Sequence, residues 1–240
     1  MEFHVYESAR AACEAAGVLI AAQITRKGNS VLGLATGSTP IPAYKMLVSW
    51  YEKGVIDFDR IRTFNLDEYV GIDRNNPLSY HAFMQEHLFS KVNIRPENAH
   101  LPYGRSAEEC EAYDEAIRAA GGIDIQLLGI GRNGHIGFNE PAADFTYGTH
   151  VVTLTENTIE ANARFFASAD DVPRQAISMG IGNIMNAHCV VLVATGKSKA
   201  EAVYRTICGP ITPEVPASIL QLHPCCVILT DTEAASLMRG

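Results

Sequence analysis

Apolar positions along the chain fall into short continuous runs that alternate with longer stretches of helical spacing. Continuous apolar runs are typical of strands covered on both faces, and their alternation with helices is typical of a parallel sheet. After one short N-terminal strand, the pattern predicts strands at 31–36, 61–66, 123–128, 150–154, 176–179, 189–194 and 226–230. It predicts helices at 8–26, about 41–53, 78–89, 106–119, 156–166, 182–187, 197–207 and 216–221.

The chain contains no repeat, low-complexity segment or Ser/Gly-rich linker that would divide its 240 residues. We therefore predict one domain over residues 1–240, an α/β fold with a doubly wound, mostly parallel, Rossmann-like sheet and helices on both faces. In such folds a ligand binds beyond the carboxyl ends of the strands, near a switch in strand order. Four polar or glycine-rich loops lie at those ends and form the candidate site: 36–39, 67–71, 129–140 and 195–199.

The charge and cysteine content narrow the range of partners. The formal net charge of −8 argues against a nucleic-acid or anionic-membrane partner that is reached by bulk attraction. The six cysteines follow no metal-ligand spacing, and most lie in apolar runs, which suits reduced thiols and a reducing compartment. Since neither a signal peptide nor a membrane-spanning run is recognisable, we predict a cytoplasmic protein. Because the cysteines follow no metal-ligand spacing, we predict no metal site.

Two of the strand-end loops have the composition of an anion site. Gly37, Ser38 and Thr39 stand between a predicted strand and a predicted helix, where backbone amides and hydroxyls can hold a phosphate. The loop at 195–199 has the same character and adds Lys199, a cation placed against the dipole of the helix that follows. A tight turn and a solvated lysine are the alternative interpretation of each loop alone, and the occurrence of two favours a phosphorylated ligand.

Asp67 and Glu68 are adjacent carboxylates at the end of a predicted strand. Helix capping or a surface turn is the ordinary role of such residues, and we favour a structural role for Glu68. Asp67 would face the same rim as the phosphate loops. A carboxylate in that place can act as the base that removes an acidic proton from a sugar carbon.

The loop that follows the strand at 123–128 contains Gly-x-Gly-x-x-Gly, then His135 and Glu140. The glycine pattern formally matches a dinucleotide fingerprint, but that fingerprint needs a helix directly after the glycines. His135, Gly137 and Pro141 interrupt such a helix, which disfavours a nicotinamide cofactor. His135 is the histidine in a strand-end loop, and a titrating imidazole beside a carboxylate is typical of acid–base chemistry.

Five ordered motifs resemble those of the glucosamine-6-phosphate deaminases: 34–40 (LATGSTP), 64–69 (FNLDEY), 134–141 (GHIGFNEP), 162–166 (NARFF) and 196–200 (GKSKA). The resemblance extends from about residue 32 to the C-terminus, including 220–224 (LQLHP). It implies conversion of glucosamine 6-phosphate and water to fructose 6-phosphate and ammonia, without a metal or organic cofactor, in amino-sugar breakdown. Because a carbon–nitrogen bond is cleaved, we expect an enzyme of the hydrolase class.

The resemblance also implies roles for individual residues. His135 would assist opening of the pyranose ring, and Asp67 would pass the C2 proton towards C1. Glu140 would orient His135. Five residues would hold the phosphate: Gly37, Ser38, Thr39, Arg164 and Lys199.

The chain departs from the longer relatives in two places. Asn133 stands where they often carry an aspartate, which removes one carboxylate from the catalytic neighbourhood of His135. The segment 142–152 lacks the basic pair that allosteric relatives use to bind an effector. We therefore expect a short, non-allosteric form that is a monomer or a small homo-oligomer.

Two rival interpretations remain open. A 6-phosphogluconolactonase would share the fold and the sugar-phosphate chemistry, but it resembles the motifs around Asp67 and Glu140 less. A sugar-phosphate-sensing domain would need the phosphate loops and a DNA-binding partner domain, for which the N-terminal stretch is too small. Release of ammonia, hydrolysis of a lactone and binding without turnover distinguish the three.

Overall fold

A computed structural model of the chain describes residues 1–163, 166 and 172–238. The described strands are β1 (Glu2–Tyr6), β2 (Val31–Leu34), β3 (Arg62–Asn65), β4 (Asp67–Tyr69), β5 (Ala99–His100), β6 (Ile125–Leu128), β7 (His150–Thr153), β8 (Gln175–Ser178), β9 (Val190–Ala194) and β10 (Cys226–Asp231). The described α-helices are α1 (Ala9–Arg26), α2 (Ile41–Glu52), α3 (Tyr80–His87), α4 (Ala107–Ala119), α5 (Glu156–Ala163), α6 (Ile181–Met185) and α7 (Ala200–Cys208).

Seven of these strands form a parallel sheet in the order β1-β10-β9-β6-β2-β3-β5. The chain moves outward from β2 through β3 to β5, then returns to the other side of β2 and continues through β6 and β9 to β10. The strand order therefore switches between β2 and β6. This arrangement confirms the predicted doubly wound, mostly parallel sheet, and it places a natural crevice beyond the ends of those two strands.

The core of the molecule lies between this sheet and its helices. Every residue of β2, β6 and β9 is buried, as the continuous apolar runs predicted. Helices α1 and α2 approach closely at Gly17. A Cβ at this position of α1 would lie only 3.2 Å from the Cα of Ala43 in α2. Tyr113 of α4 packs edge-on against Phe64 of β3, with 5.7 Å between the ring centroids.

A second, antiparallel sheet of β4, β8 and β7 was not predicted. The strands at 150–154 and 176–179 were assigned to the parallel sheet, and residues 67–71 were assigned to a loop. Instead, Asp67 pairs with Ser178 as the first residue of β4, only one residue after β3 ends. The three-residue strand is too short to give a periodic signal, and its pairing partner is more than 100 residues away.

Other boundaries differ in smaller ways. The segment predicted as a helix at 216–221 is the 3₁₀ helix Pro216–Leu222, and Lys197–Lys199 is a 3₁₀ turn that precedes α7. Two further short 3₁₀ segments, Phe89–Lys91 and Pro96–Asn98, connect α3 to β5. Within the described residues, no helix combines the length and the apolar character that a membrane span requires.

Candidate active site

The loops after β2 and β6 meet at the switch in strand order. Thr39 of the first loop and Gly129 of the second line the same small cavity. The third loop is joined to them by Lys199, whose Nζ donates a hydrogen bond to the carbonyl oxygen of Ile130, 2.6 Å away. The structure therefore brings these three loops together, and the fourth predicted loop, 67–71, begins at Asp67 beside the loop after β6.

The loop after β2 leaves donors available to an anion. Gly37 has a φ of +94°, a conformation that suits glycine, and it turns the chain from β2 towards α2. Ser38 is exposed and Thr39 is half-buried at this turn. Pro40 stands at the N-cap of α2 and offers no side-chain acceptor to the first-turn amides. These amides lie at the positive end of the helix dipole.

The loop at 196–199 differs from its predicted character. The backbone N–H of Gly196 donates to both carboxylate oxygens of Asp231, each at 3.0 Å, so this amide is already occupied. Lys199 is half-buried and lies beside the loop after β6. Asp231 at the end of β10 thus orders this loop, a role that its sequence position did not indicate. Arg164, predicted to bind the phosphate, lies outside the described residues.

Asp67 is buried at the start of β4, with 8% of its surface exposed. Burial, and secondly the charge of Glu68, raise the pKa of its carboxyl to about 8. Among the described residues, no hydrogen-bond donor is seen on its side chain. A Cβ built at Gly137 would lie 3.7 Å from Oδ2 of Asp67, so the His135 loop passes directly over this carboxyl.

Glu68 points away from this chemistry and caps a helix. Its carboxylate accepts hydrogen bonds from the backbone N–H groups of Tyr69 (2.9 Å), Tyr80 (3.0 Å) and His81 (2.9 Å). The last two belong to the first turn of α3, whose N-terminal amides need acceptors. The adjacent carboxylates thus divide into a helix cap, as expected for Glu68, and a buried acid at Asp67 that receives no hydrogen bond from the part of the chain that the structure describes.

His135 and Glu140 form a close pair within the loop after β6. Nδ1 of His135 lies 3.3 Å from Oε2 of Glu140, and the side chains are 22% and 7% exposed. Nδ1 of His135 makes no aligned hydrogen bond, so the two side chains are in close polar contact without a directed hydrogen bond. Asn133 donates from Nδ2 to the same Oε2 at 2.7 Å and accepts from the backbone N–H of His135 at 3.2 Å.

The electrostatic state of Glu140 is opposite to that of Asp67. Burial acts to raise its pKa, but the contact with His135 and its charge, then the hydroxyl of Thr158 and the amide of Asn133, outweigh burial and hold the pKa at about 2. The Thr158 hydroxyl donates to Oε1 of Glu140. Thr158 was missed from the sequence, where its place in a predicted helix gave no sign of this contact.

Glycine and serine residues shape the loop around the histidine. A Cβ at Gly131 would overlap the His135 ring, so the imidazole occupies the space that any side chain there would fill. Oγ of Ser178 accepts a hydrogen bond from the backbone N–H of Phe138 at 3.0 Å, and Ser178 is the register partner of Asp67. Ser178 thereby holds the loop beside Asp67, a second contribution that the sequence did not reveal.

A cavity of about 300 Å³ borders Glu140 but excludes the other predicted groups. Its walls come from 139–155, Ile181, Pro213 and Pro216, and neither Asp67, His135 nor the loop at 36–39 contributes to it. It therefore adjoins the predicted site at Glu140 but does not contain Asp67 or His135. Over the described ranges, no group of three or more histidine, cysteine, aspartate or glutamate side chains is arranged to hold a metal ion.

Curated relatives match the chain over almost its whole length. A glucosamine-6-phosphate deaminase of Clostridioides difficile (strain 630) is 56% identical over 227 residues, which cover 93% of this chain and 91% of the relative. A glucosamine-6-phosphate deaminase of Clostridium botulinum (strain Alaska E43 / Type E3) is 53% identical, covering 100% of this chain and 97% of the relative.

Solved structures give the same picture at the level of the fold. A monomeric glucosamine-6-phosphate deaminase superposes with a TM-score of 0.95 at 43% identity, covering 99% of this chain and 100% of the other. The 6-phosphogluconolactonase of Trypanosoma brucei superposes with a TM-score of 0.75 at 19% identity, covering 99% and 98%. At that identity, the second likeness concerns the fold alone.

The family described as glucosamine-6-phosphate isomerases/6-phosphogluconolactonase matches residues 5–228. This finding corrects one prediction, the assignment to hydrolases that act on a carbon–nitrogen bond. The family description instead names isomerases, and the relatives carry the name deaminase. The physical reason is that loss of nitrogen accompanies a proton transfer between carbons, as an aldose becomes a ketose. The chain belongs to the family of glucosamine-6-phosphate isomerases and 6-phosphogluconolactonases.

Proposed function

We propose that this chain converts glucosamine 6-phosphate and water into fructose 6-phosphate and ammonia. The observation that carries the proposal is the placement of the buried acid Asp67 under the loop that bears the His135–Glu140 pair. The names and the 53–56% identity of the curated relatives give independent support. The likeness to lactonases is confined to the fold and favours no second function.

In the first step of the proposed reaction, His135 opens the sugar ring. Ring opening needs a proton to leave the C1 hydroxyl and a proton to reach the ring oxygen, and an imidazole can do both. The carboxylate of Glu140 lies 3.3 Å from Nδ1, where its negative charge stabilises the protonated ring. Its low pKa, about 2, keeps that charge in place throughout the working pH range.

Asp67 carries out the second step, the proton transfer between carbons. Its carboxylate removes the proton from C2 of the open-chain aldehyde, and a proton of the substrate ammonium group passes to the C1 oxygen to give an enolamine. The protonated Asp67 then returns its proton to C1, which leaves a protonated imine at C2. Water then adds at C2 of the imine, and ammonia leaves to give the ketose. The pKa of about 8 makes Asp67 a stronger base than an ordinary carboxylate, and the positive amino group of the substrate favours its ionised form.

The phosphate would provide the binding energy that fixes the reacting carbons against Asp67. We assign this anchoring to the turn of Gly37, Ser38 and Thr39 at the start of α2, with Lys199 and Arg164. Lys199 lies next to the loop after β6, so a phosphate held by its ammonium group would lie close to the histidine loop. Interactions with a remote group can lower the barrier at the reacting atoms by orienting them.

The test compares wild type with Asp67→Asn, following ammonium and fructose 6-phosphate formed from glucosamine 6-phosphate. We expect Asp67→Asn to lose about 10²- to 10⁴-fold in kcat, the usual contribution of a general base. Asp144→Asn, which changes an exposed carboxylate, is the matched control and retains activity. Hydrolysis of 6-phosphogluconolactone without ammonia release, or full activity of Asp67→Asn, contradicts the proposal.

The proposal extends to the oligomeric state, the regulation and the cellular compartment of the enzyme. We assign a non-allosteric monomer in which residues 1–240 act as one domain, supported by the monomeric relative at 43% identity and by a segment 142–152 without lysine or arginine. The six free cysteines suit a reducing cytoplasm. A gel-filtration mass of a single chain and a hyperbolic rate curve are expected, and a sigmoidal curve contradicts this assignment.

A further inference from the structure

Thr158 contacts the catalytic pair from an element that was not predicted to reach it. It is the third residue of α5, and only 5% of its surface is exposed. Its hydroxyl donates a hydrogen bond to Oε1 of Glu140. A hydroxyl buried against an ionised carboxylate forms a charge-assisted hydrogen bond, which is among the stronger interactions available to threonine.

The two oxygens of Glu140 have different partners. Oε2 faces the amide of Asn133 at 2.7 Å and the ring of His135 at 3.3 Å. Of the hydrogen bonds seen among the described residues, the one that reaches Oε1 comes from Thr158. Because the terminal torsion of a glutamate is soft, a carboxylate held through one oxygen can rotate about it. The Thr158 hydrogen bond supplies the second point that fixes the plane.

Thr158 is itself fixed at the beginning of α5. Its backbone N–H donates to the hydroxyl oxygen of Thr155 at 3.4 Å, which is the arrangement of a helix N-cap. The hydroxyl of Thr155 in turn donates to that of Thr158 at 3.1 Å. A chain of hydroxyl groups therefore connects the start of α5 to the carboxylate of Glu140.

We propose that Thr158 is a positioning residue for the proposed deamination, which fixes the Glu140 carboxylate plane and so keeps His135 aimed at the sugar ring. The inference rests on the proposed function for its catalytic consequence. The structural coupling between Thr158, Glu140 and His135 is independent of that function, because it depends only on the contacts among these side chains. Proton transfer is sensitive to small displacements of the donor, so loss of the Thr158 hydrogen bond is expected to lower the rate of ring opening.

The first experiment measures kcat and KM for Thr158→Val, which keeps the shape of the side chain but removes the hydroxyl. We expect kcat to fall about tenfold or more, the effect of losing a hydrogen bond to a charged group, with KM within about twofold. Thr158→Ser restores most of the rate. Thr153→Val, an exposed threonine on β7, is the matched control and behaves as wild type. An unchanged kcat in Thr158→Val overturns the proposal.

A double-mutant cycle separates positioning from helix packing. In the Glu140→Gln background the carboxylate charge is absent, so Thr158→Val is expected to cause little further loss of kcat. Equal losses in both backgrounds show that Thr158 acts through the helix and overturn the proposal. If Thr158→Val fails to fold, as judged by its thermal unfolding, Thr158→Ala carries the same comparison.

The second experiment needs no turnover and distinguishes failure of this proposal from failure of the proposed function. The ring of His135 is titrated by NMR in wild type and in Thr158→Val. A carboxylate freed at Oε1 spends less time near Nδ1 and stabilises the protonated ring less, so the titration midpoint moves to lower pH. An unchanged midpoint, or one at higher pH, overturns the positioning role even if the wild type turns over glucosamine 6-phosphate.

Discussion

Asp67 and Glu140 both have buried carboxylates, one beside the loop after β6 and one within it, yet their surroundings give them opposite properties. Asp67 has no hydrogen-bond donor on its side chain among the described residues, and burial raises its pKa to about 8. Burial acts on Glu140 in the same direction, but a histidine, a threonine and an asparagine reverse it and hold the pKa at about 2. Neighbouring donors, and not depth alone, therefore decide which carboxylate can exchange a proton and which remains a fixed charge.

The strongest way to test this contrast is through stability. The pKa of Asp67 is raised in the folded chain, so the folded state binds its proton more tightly, and stability is lost as pH rises from about 4 to about 8. The pKa of Glu140 is lowered, so its stabilisation is present above the unfolded value of about 4.3 and is lost as pH falls through about 2. We expect Asp67→Asn to stabilise at pH 8 and Glu140→Gln to destabilise at pH 7, each by on the order of 2–5 kcal/mol.

Urea unfolding at pH 5 and pH 8 measures this difference, with Asp144→Asn as the exposed control. The gap in unfolding free energy between Asp67→Asn and wild type should widen between the two pH values. A gap that stays constant would mean that burial does not raise the pKa of Asp67 as described.

The contrast also predicts a smaller loss of activity at Glu140 than at Asp67. Glu140→Gln keeps the shape of the side chain but removes the charge that supports the protonated ring of His135. We expect kcat to fall about 10- to 100-fold, as for the loss of one interaction with a charged group, while the base Asp67 remains. Steady-state rates of ammonium release measure the effect. A loss equal to that of Asp67→Asn would indicate that Glu140 itself transfers a proton.

The smallest expected effect is at Asn133, whose side-chain amide donates a hydrogen bond to Glu140. Asn133→Asp replaces a donor 2.7 Å from Oε2 with a second carboxylate. We expect the acidic limb of the pH–rate profile to move up by about one pH unit, because added negative charge favours protonated His135. The profile of kcat/KM between pH 5 and pH 9 records the change. A limb that is unmoved, or moved down, contradicts the role given to Asn133.

Much of the fold could be predicted from the local sequence. The runs that form β2 and β9 are apolar throughout, and the run that forms β6 contains one polar residue, Gln126. Such runs are distinctive because a strand covered on both faces tolerates few polar residues. The loop after β6 was also recognisable. Its glycines, histidine and glutamate follow a buried strand, and the site is built where that strand ends.

Contacts between residues far apart in the chain could not be predicted in the same way. The pairing of β4 with β8 depends on residues more than 100 positions apart, and Asp67, as the first residue of a three-residue strand, has the same local pattern as a loop residue. The contact of Thr158 with Glu140 depends on how α5 lies against the loop. Neither a propensity nor a periodicity carries that information, because both describe neighbours along the chain.

The second sheet has a consequence for how this site could be altered by design. The residue before Asp67 is held by backbone hydrogen bonds on both sides: the carbonyl oxygen of Leu66 accepts from the N–H of Met179 at 2.7 Å, and the N–H of Leu66 donates to the carbonyl oxygen of Leu34 at 3.0 Å. The backbone next to Asp67 is thus positioned by main-chain hydrogen bonds, while the pKa of its carboxyl is set by the side chains around it. Exchanging those side chains offers a way to change this pKa without moving the backbone that carries the carboxyl.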